Sequence, residues 1–133
     1  MRTLRVSTRH REELVDVTAD VRRAVEESGV REAVCLVYSP HTTCGVTVNE
    51  GWDPAVASDA LGHLREVVPR ERAFAHAEGN SDAHIKATLV GPSVTLLVAD
   101  GKPILGRWQG VFFCEFDGPR SRTVHVQIVG SAG

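Results

Sequence analysis

Apolar residues alternate with polar ones in some stretches of this chain and recur every three to four residues in others, which predicts both strands and helices. Residues 2–8 alternate and predict an opening strand. Val17, Val21 and Val25 then recur every fourth residue, as on one face of a helix. Thr18 is a suitable N-cap for that helix.

The next two stretches differ in their pattern. Residues 33–38 (AVCLVY) form a continuous apolar run of strand length, which predicts a strand buried on both faces. Residues 43–49 alternate, with Cys44, Val46 and Val48 on one side. A half-buried strand is therefore expected there.

A helix is predicted after these strands. Asp53 and Pro54 form a standard N-cap and first helical residue, and Pro69 marks the end. The apolar positions between them have helical spacing and define its core face: Val56, Ala60, Leu61, Leu64 and Val68.

A shorter helix is predicted over residues 82–90, capped by Ser81 and with Ile85 and Leu89 facing inward. The rest of the chain reads as strands separated by turns: 94–99, 103–105, 109–116 and 123–129. The order of elements predicts one α+β domain over residues 1–133, with a mixed β-sheet or sandwich and two to three helices.

Composition and charge narrow the class of protein. The chain is 42% hydrophobic and 24% charged, as in globular domains, and its net charge is −2. That charge favours neither nucleic acid nor a membrane surface as a partner. No apolar run is long enough to span a bilayer, and the three cysteines show no CxxC spacing. We expect a cytoplasmic protein with reduced thiols.

The first candidate site is the loop Pro40–Gly45 (PHTTCG) between two predicted strands. His41 could be a metal ligand or an acid–base group, or an ordinary solvated histidine. Cys44 could be a nucleophile, but its place in an alternating strand favours a buried thiol. The sequence alone leaves both alternatives open.

The second candidate is the segment His76–His84 (HAEGNSDAH), in which five polar or titratable residues occupy every second position. As a strand it would present all five on one face. If Ser81 caps a helix instead, the free amides at the helix start could receive an anion such as phosphate. A solvated loop is the third alternative. His41, His76 and His84 together could hold a metal ion, although no recognised spacing supports this.

The third candidate combines LGRWQ with EFDGPRSR near the C-terminus. Arg107, Arg120 or Arg122 could bind a phosphate. A hairpin turn whose acids and arginines pair with one another, and a packed Trp108, explain the same residues structurally. We favour the structural interpretation here.

Taken together, the blocks HTTCGVTVNEGWDPAV, HAEGNSDAHIKATLVG and LGRWQGVFFCEFDGPRSR resemble the YjbQ-like family, also called secondary thiamine-phosphate synthase enzymes. The resemblance implies a YjbQ-like fold, a homotrimer, and a weak transferase activity that joins a pyrimidine methyl diphosphate to a thiazole phosphate. It also implies a site near a subunit boundary that holds a divalent metal and consists of His41, Glu50, His76, Asn80 and His84.

On the basis of this resemblance we expect a divalent metal held by three histidines, either zinc or, with a diphosphate substrate, magnesium. The expected metal ligands are His41, His76 and His84. The expected catalytic residues are His41, Glu50, Glu78 and His84. The residues expected to bind substrate are Thr42, Thr43, Asn49, Asn80, Lys86 and Arg120. A non-catalytic protein that binds a metal or a small phosphorylated metabolite is the alternative.

Overall fold

A computed structural model describes residues 1–130 as two antiparallel sheets and three helices, which confirms the α+β prediction. The strands are β1 (Arg2–Ser7), β2 (Glu13–Asp16), β3 (Ala33–Tyr38), β4 (Cys44–Glu50), β5 (Ser93–Ala99), β6 (Lys102–Pro103), β7 (Gln109–Glu115) and β8 (Ser121–Gly130). The helices are α1 (Thr18–Ser28), α2 (Pro54–Val67) and α3 (Ser81–Val90). None of them has the length and apolar character needed to cross a bilayer.

The strands are divided between a larger and a smaller sheet. The larger has the order β1-β8-β3-β5-β6, and the smaller has the order β2-β7-β4. One buried cluster joins Val37 and Val126 of the larger sheet, Phe113 of the smaller sheet, and Val21 and Val25 of α1. The helical face predicted from the four-residue repeat therefore packs into the main core.

The apolar run of β3 predicted a strand buried on both faces, and this prediction is wrong. Cys35 and Val37 are fully buried, whereas Val34, Leu36 and Tyr38 are 36–43% exposed. Within residues 1–130, one face of the larger sheet is covered and the other is not. The outer face is apolar as well, so a continuous apolar run does not here indicate two buried faces.

Helix α2 begins as predicted, because the Asp53 carboxylate accepts a hydrogen bond from the Ala55 amide at 2.9 Å. Thr18 does not cap α1, however. It is the first helical residue, and its hydroxyl accepts a hydrogen bond from the Val111 amide at 2.8 Å. Thr18 therefore connects α1 to β7 and does not serve as the N-cap of the helix.

Helix α3 lies where it was predicted but presents the opposite face to the core. Ile85 and Leu89 are exposed, whereas Asp82 and Lys86 are completely buried. Apolar spacing failed here because the buried face consists of small residues and of charges that are paired. Sequence reasoning also missed β2, which supplies one edge of the smaller sheet.

A close contact sets the position of α3 against the smaller sheet. A Cβ atom on Gly45 would lie 2.8 Å from Val90 Cγ1, a distance too short for a real contact. The Val46 amide donates a hydrogen bond to the Gly91 carbonyl at 3.0 Å. The absence of a side chain at Gly45 thus lets the end of α3 rest on the start of β4.

Candidate functional site

A surface cleft of about 360 Å³ lies where the β3–β4 loop meets α3. It brings His41 and Thr42 of the loop together with His84 of α3, as the sequence predicted. Its walls are formed by residues of both segments and of the turn after α3: Tyr38, Ser39, Pro40, His41, Thr42, Cys44, His84, Ala87, Thr88 and Pro92. We call it the histidine cleft.

Strand β8 fixes the ring of His41. The Thr123 backbone amide donates a hydrogen bond to His41 Nε2 at 3.0 Å. A backbone N–H can only donate, so Nε2 must be the unprotonated nitrogen of the neutral ring and Nδ1 must carry the proton. Burial and the nearby Arg122 charge lower the pKa of His41, which favours this neutral form. His41 is therefore held as a hydrogen-bond donor through Nδ1.

His76 and His84 form a second pair next to the cleft. Their rings meet edge to face with centroids 5.3 Å apart. His76 Nε2 lies 3.7 Å from the Glu78 carboxylate, and both of these side chains are largely exposed. His84 thus lines the cleft together with His41 and contacts His76 beside it.

The three histidines do not form a metal centre within one chain. Among residues 1–130, no three His, Cys, Asp or Glu side chains are grouped so that they could hold an ion. The lone pair of His41 Nε2 is also occupied by the Thr123 amide. The expected His41–His76–His84 ligand set therefore does not fit the geometry of a single subunit, because Thr123 binds the His41 lone pair while His76 and His84 contact each other.

A buried ion pair lies beneath the cleft. Arg122 Nε and Nη2 donate to the two Glu115 carboxylate oxygens at 2.8 and 2.6 Å. Arg122 Nη2 also donates to Thr43 Oγ1 at 2.9 Å. Thr43 is thus buried in this network and is not available as the substrate contact predicted for it. The structural interpretation of this arginine, as the partner of a nearby acid, is confirmed.

Cys44 belongs to the same network and is not an activated nucleophile. Its Sγ lies 3.4 Å from Glu115 Oε2, and burial together with this carboxylate raises the pKa of the thiol well above its ordinary value. A protonated thiol is a poor nucleophile. All three cysteines are buried and free, as predicted.

Lys86 is a structural cation and not a surface contact for substrate. Its ammonium group donates to Asp82 at 2.8 Å and to Glu12 at 3.0 Å, and the side chain is fully buried. Arg11 donates two hydrogen bonds to the same Asp82 carboxylate at 3.0 and 3.1 Å. The charges of α3 therefore attach this helix to the segment between β1 and β2.

Asn80 and Arg120 meet at a common partner away from the rings. Asn80 Nδ2 donates to Asp117 Oδ2 at 2.9 Å, and Arg120 Nη2 reaches the same oxygen at 3.2 Å. Asn80 Oδ1 is buried without a hydrogen-bond partner in the described chain. Both residues stabilise the turn between β7 and β8, although the Arg120 side chain is still about half exposed.

Asn49 and Glu50 lie at the far end of β4. Glu50 accepts a hydrogen bond from the Trp52 amide at 2.7 Å and thereby shapes the turn into α2. Cys44, at the other end of this strand, lines the histidine cleft. At about 3.3 Å per residue, β4 separates the two ends by about 20 Å. One chain thus does not bring Glu50 to His41, and a site that contains both would need residues from two subunits.

The comparisons with known proteins agree with this fold over nearly the whole chain. The family model described as UPF0047 protein YjbQ-like matches residues 2–131. This chain belongs to the YjbQ-like family. A UPF0047 protein of Methanocaldococcus jannaschii is 51% identical over 94% of this chain and 91% of its own, and YugU of Bacillus subtilis is 44% identical over 98% and 99%.

Solved structures of the YjbQ-like family show the same architecture. A YjbQ/UPF0047 protein of Clostridium acetobutylicum superposes with a TM-score of 0.96 at 45% identity, covering 97% of this chain and 100% of that one. A YjbQ-like protein of Sulfolobus solfataricus gives 0.95 at 34% identity, covering 98% and 96%. The descriptions of these relatives specify neither substrate nor metal. These comparisons therefore confirm the resemblance to the YjbQ-like family and the fold, but they do not support the thiamine-phosphate synthase activity.

Proposed function

We propose that the histidine cleft binds a small anionic metabolite, most simply a phosphorylated one. The observation that carries this proposal is the hydrogen bond from the Thr123 amide to His41 Nε2, which leaves the ring proton on Nδ1. A fixed N–H group in a partly buried cleft is suited to a phosphate oxygen.

The same geometry favours binding over proton abstraction by His41. A general base needs a free lone pair within reach of the proton that it takes. The lone pair on His41 Nε2 already accepts a hydrogen bond from the Thr123 amide. His41 would therefore orient an anion or stabilise a leaving phosphate, while His84, which lines the same cleft, supplies the other titratable group.

A thiamine-phosphate synthase reaction is one way in which such a cleft could act. The reaction expels diphosphate from a pyrimidine methyl diphosphate, and a donor held at His41 would stabilise the departing oxygens. A zinc ion would need more than this chain's histidine pair, so we propose that any metal takes its remaining ligands from a second subunit or from the metabolite.

The outer face of the larger sheet is a suitable subunit contact, and we propose that it joins the copies of a homo-oligomer. Val34 on β3 lies opposite Leu97 on β5 and Val129 on β8, and the latter two are both 62% exposed. Contiguous exposed apolar side chains of this kind mark interaction surfaces. A trimer, as the resemblance implies, would cover this face and could complete the sites on neighbouring subunits.

Isothermal titration calorimetry with inorganic diphosphate tests the binding proposal. His41→Leu removes the donor and should weaken binding about tenfold, whereas His41→Asn keeps an N–H group near the position of Nδ1 and should retain part of the affinity. His63→Ala, on the exposed side of α2, is the matched control. Equal affinity in all four proteins would contradict the proposal.

Two further measurements separate the enzyme from the binding protein. Incubation with the pyrimidine methyl diphosphate and the thiazole phosphate, followed by chromatography, detects any thiamine phosphate. Binding without product favours the non-catalytic alternative. Metal analysis of untagged wild type and of His84→Ala tests for a bound ion. Equal, near-zero metal in both proteins would exclude a histidine-bound metal.

A further inference from the structure

The two tryptophans of the chain lie side by side on the surface. Trp52 is 78% exposed and Trp108 is 47% exposed, with ring centroids 5.7 Å apart. Large aromatic rings contribute most to stability when they are buried. Two neighbouring exposed rings therefore need an explanation other than core packing.

The rings line a cleft of about 370 Å³, within the usual range of small-molecule sites. Its floor is formed where Gly51 and Gly110 approach each other, since a Cβ atom on Gly51 would lie 3.3 Å from the Gly110 backbone. The lack of a side chain at both positions lets the two backbones approach this closely. We call this the tryptophan cleft.

Two arginines give the tryptophan cleft an excess of positive charge. Arg107 Cζ lies 4.8 Å from the centre of the Trp108 ring, and Arg22 of α1 also lines the cleft. Within residues 1–130 neither guanidinium forms an ion pair. The one carboxylate in the lining, Asp16, already accepts hydrogen bonds from the Thr18 amide and hydroxyl.

Hydrogen bonds hold the loop that carries Trp52 and the loop that carries Trp108 in place without a ligand. The Gly51 amide donates to the Trp108 carbonyl at 2.7 Å and so ties one loop to the other. The Gln109 side chain accepts from the Gly106 amide, also at 2.7 Å. A preorganised site loses less conformational entropy when it binds.

The tryptophan cleft is separate from the histidine cleft. β4 and β7 pair along their whole length, with Glu50 opposite Gln109 at one end and Cys44 opposite Glu115 at the other. The tryptophan cleft lies at the first end and the histidine cleft at the second. Within one chain, a ligand in one cleft does not contact the residues of the other.

We propose that the tryptophan cleft is a second binding site, which takes a planar heteroaromatic ring carrying an anionic group, as in a nucleoside monophosphate. The ring stacks on the indole groups, a contact available to any nucleobase. The phosphate pairs with Arg107 and Arg22, whose planar guanidinium groups match its oxygens. The net charge of −2 favours a single nucleotide over a nucleic acid polymer.

Fluorescence tests this directly, because the only two tryptophans of the chain both line the cleft. Adenosine monophosphate should change the emission saturably, with excitation at the red edge of the tryptophan band where the nucleotide does not absorb. Adenosine and inorganic phosphate, each carrying half of the chemistry, should bind at least about tenfold more weakly.

Two variants and two controls locate the site. Arg107→Gln and Trp52→Ala should each weaken adenosine monophosphate binding about tenfold, measured by calorimetry so that loss of a fluorophore does not matter. Arg23→Gln removes an exposed arginine of α1 that follows Arg22 but lies outside the cleft, and it should leave binding unchanged. His41→Leu should also leave it unchanged, which separates this site from the histidine cleft.

Several results would overturn the proposal. Absence of saturable binding at millimolar nucleotide would do so, as would equal affinity in the Arg107→Gln, Trp52→Ala and wild-type proteins. Failure of iodide to quench the wild-type emission would also refute it, because the rings would then be covered by another copy of the chain. Strong quenching by iodide that adenosine monophosphate prevents is the expected result.

Discussion

Replacing Arg122 with methionine should lower the free energy of unfolding by about 3–5 kcal/mol at pH 7, because it leaves a buried carboxylate without its counter-ion. Glu115 is completely buried and receives two hydrogen bonds from Arg122. The remaining donors, the Thr8 hydroxyl, the Asp117 amide and the Cys44 thiol, carry no compensating charge.

The pH dependence of this loss follows from the pKa of Glu115. Burial alone would raise it, but the Arg122 hydrogen bonds, the Asp117 amide and the Thr8 hydroxyl together hold it below its ordinary value. In wild type, this carboxylate therefore contributes stability above its unfolded pKa of about 4.3, and the contribution is lost as pH falls through the folded pKa. In the variant, burial dominates and raises the pKa, so the difference between the two proteins should narrow on acidification.

Urea unfolding followed by circular dichroism, at fixed protein concentration, measures these differences. Arg31→Met is the matched control, since its ion pair with Asp100 is largely exposed and should contribute no more than about 1 kcal/mol. Arg122→Lys keeps the charge without the paired hydrogen bonds and provides a milder variant if methionine prevents folding. A loss at pH 7 no larger than that of the control, or one that does not shrink towards pH 4, would refute the reasoning.

Four shorter predictions follow from the same structure. Nitrogen NMR of the imidazoles should show His41 protonated on Nδ1 at neutral pH with a pKa below the ordinary histidine value; a ring protonated on Nε2 would contradict the assigned hydrogen bond. Lys86→Met should lower the free energy of unfolding by about 3–5 kcal/mol in urea titrations, and a loss under about 1 kcal/mol would show that its ion pairs are not structural. Cys44 should react with a thiol reagent only after unfolding, so rapid labelling of the native protein would be inconsistent with its burial. Light scattering should give a multiple of 14.4 kDa that Leu97→Glu reduces and Leu89→Glu, equally exposed on α3, does not; a 14.4 kDa species in wild type would exclude the oligomer.

The local features of the fold were predictable because they depend on neighbouring residues. The Asp53–Pro54 signal defined the start of α2, and the four-residue repeat in α1 identified its buried face. The sequence also brought His41 and His84 into one candidate site, which the cleft confirms as a shared location. Alternation also favoured a buried Cys44, which the structure confirms.

The inward face of α3 could not be predicted in this way. Apolar spacing favoured Ile85 and Leu89, yet the buried residues include Asp82 and Lys86. These charges can be buried only because Arg11 and Glu12, about 70 residues earlier in the chain, neutralise them. A pairing over that distance leaves no periodic signal in the sequence of the helix.

The sequence by itself determined the class of fold and most of the strands and helices, because periodicity and capping are local properties. Its three motif blocks indicated the family and the segments that form the histidine cleft. Only the tertiary structure decided what those side chains can do. Thr123, on a strand far from His41 in sequence, assigns the proton of the ring. The length of β4 separates Glu50 from the histidines, and the turn that Glu50 shapes holds Trp52 beside Trp108 at the surface. Hydrogen-bond partners and exposure depend on which strands become neighbours, and that is fixed only when the two sheets pack around their common core.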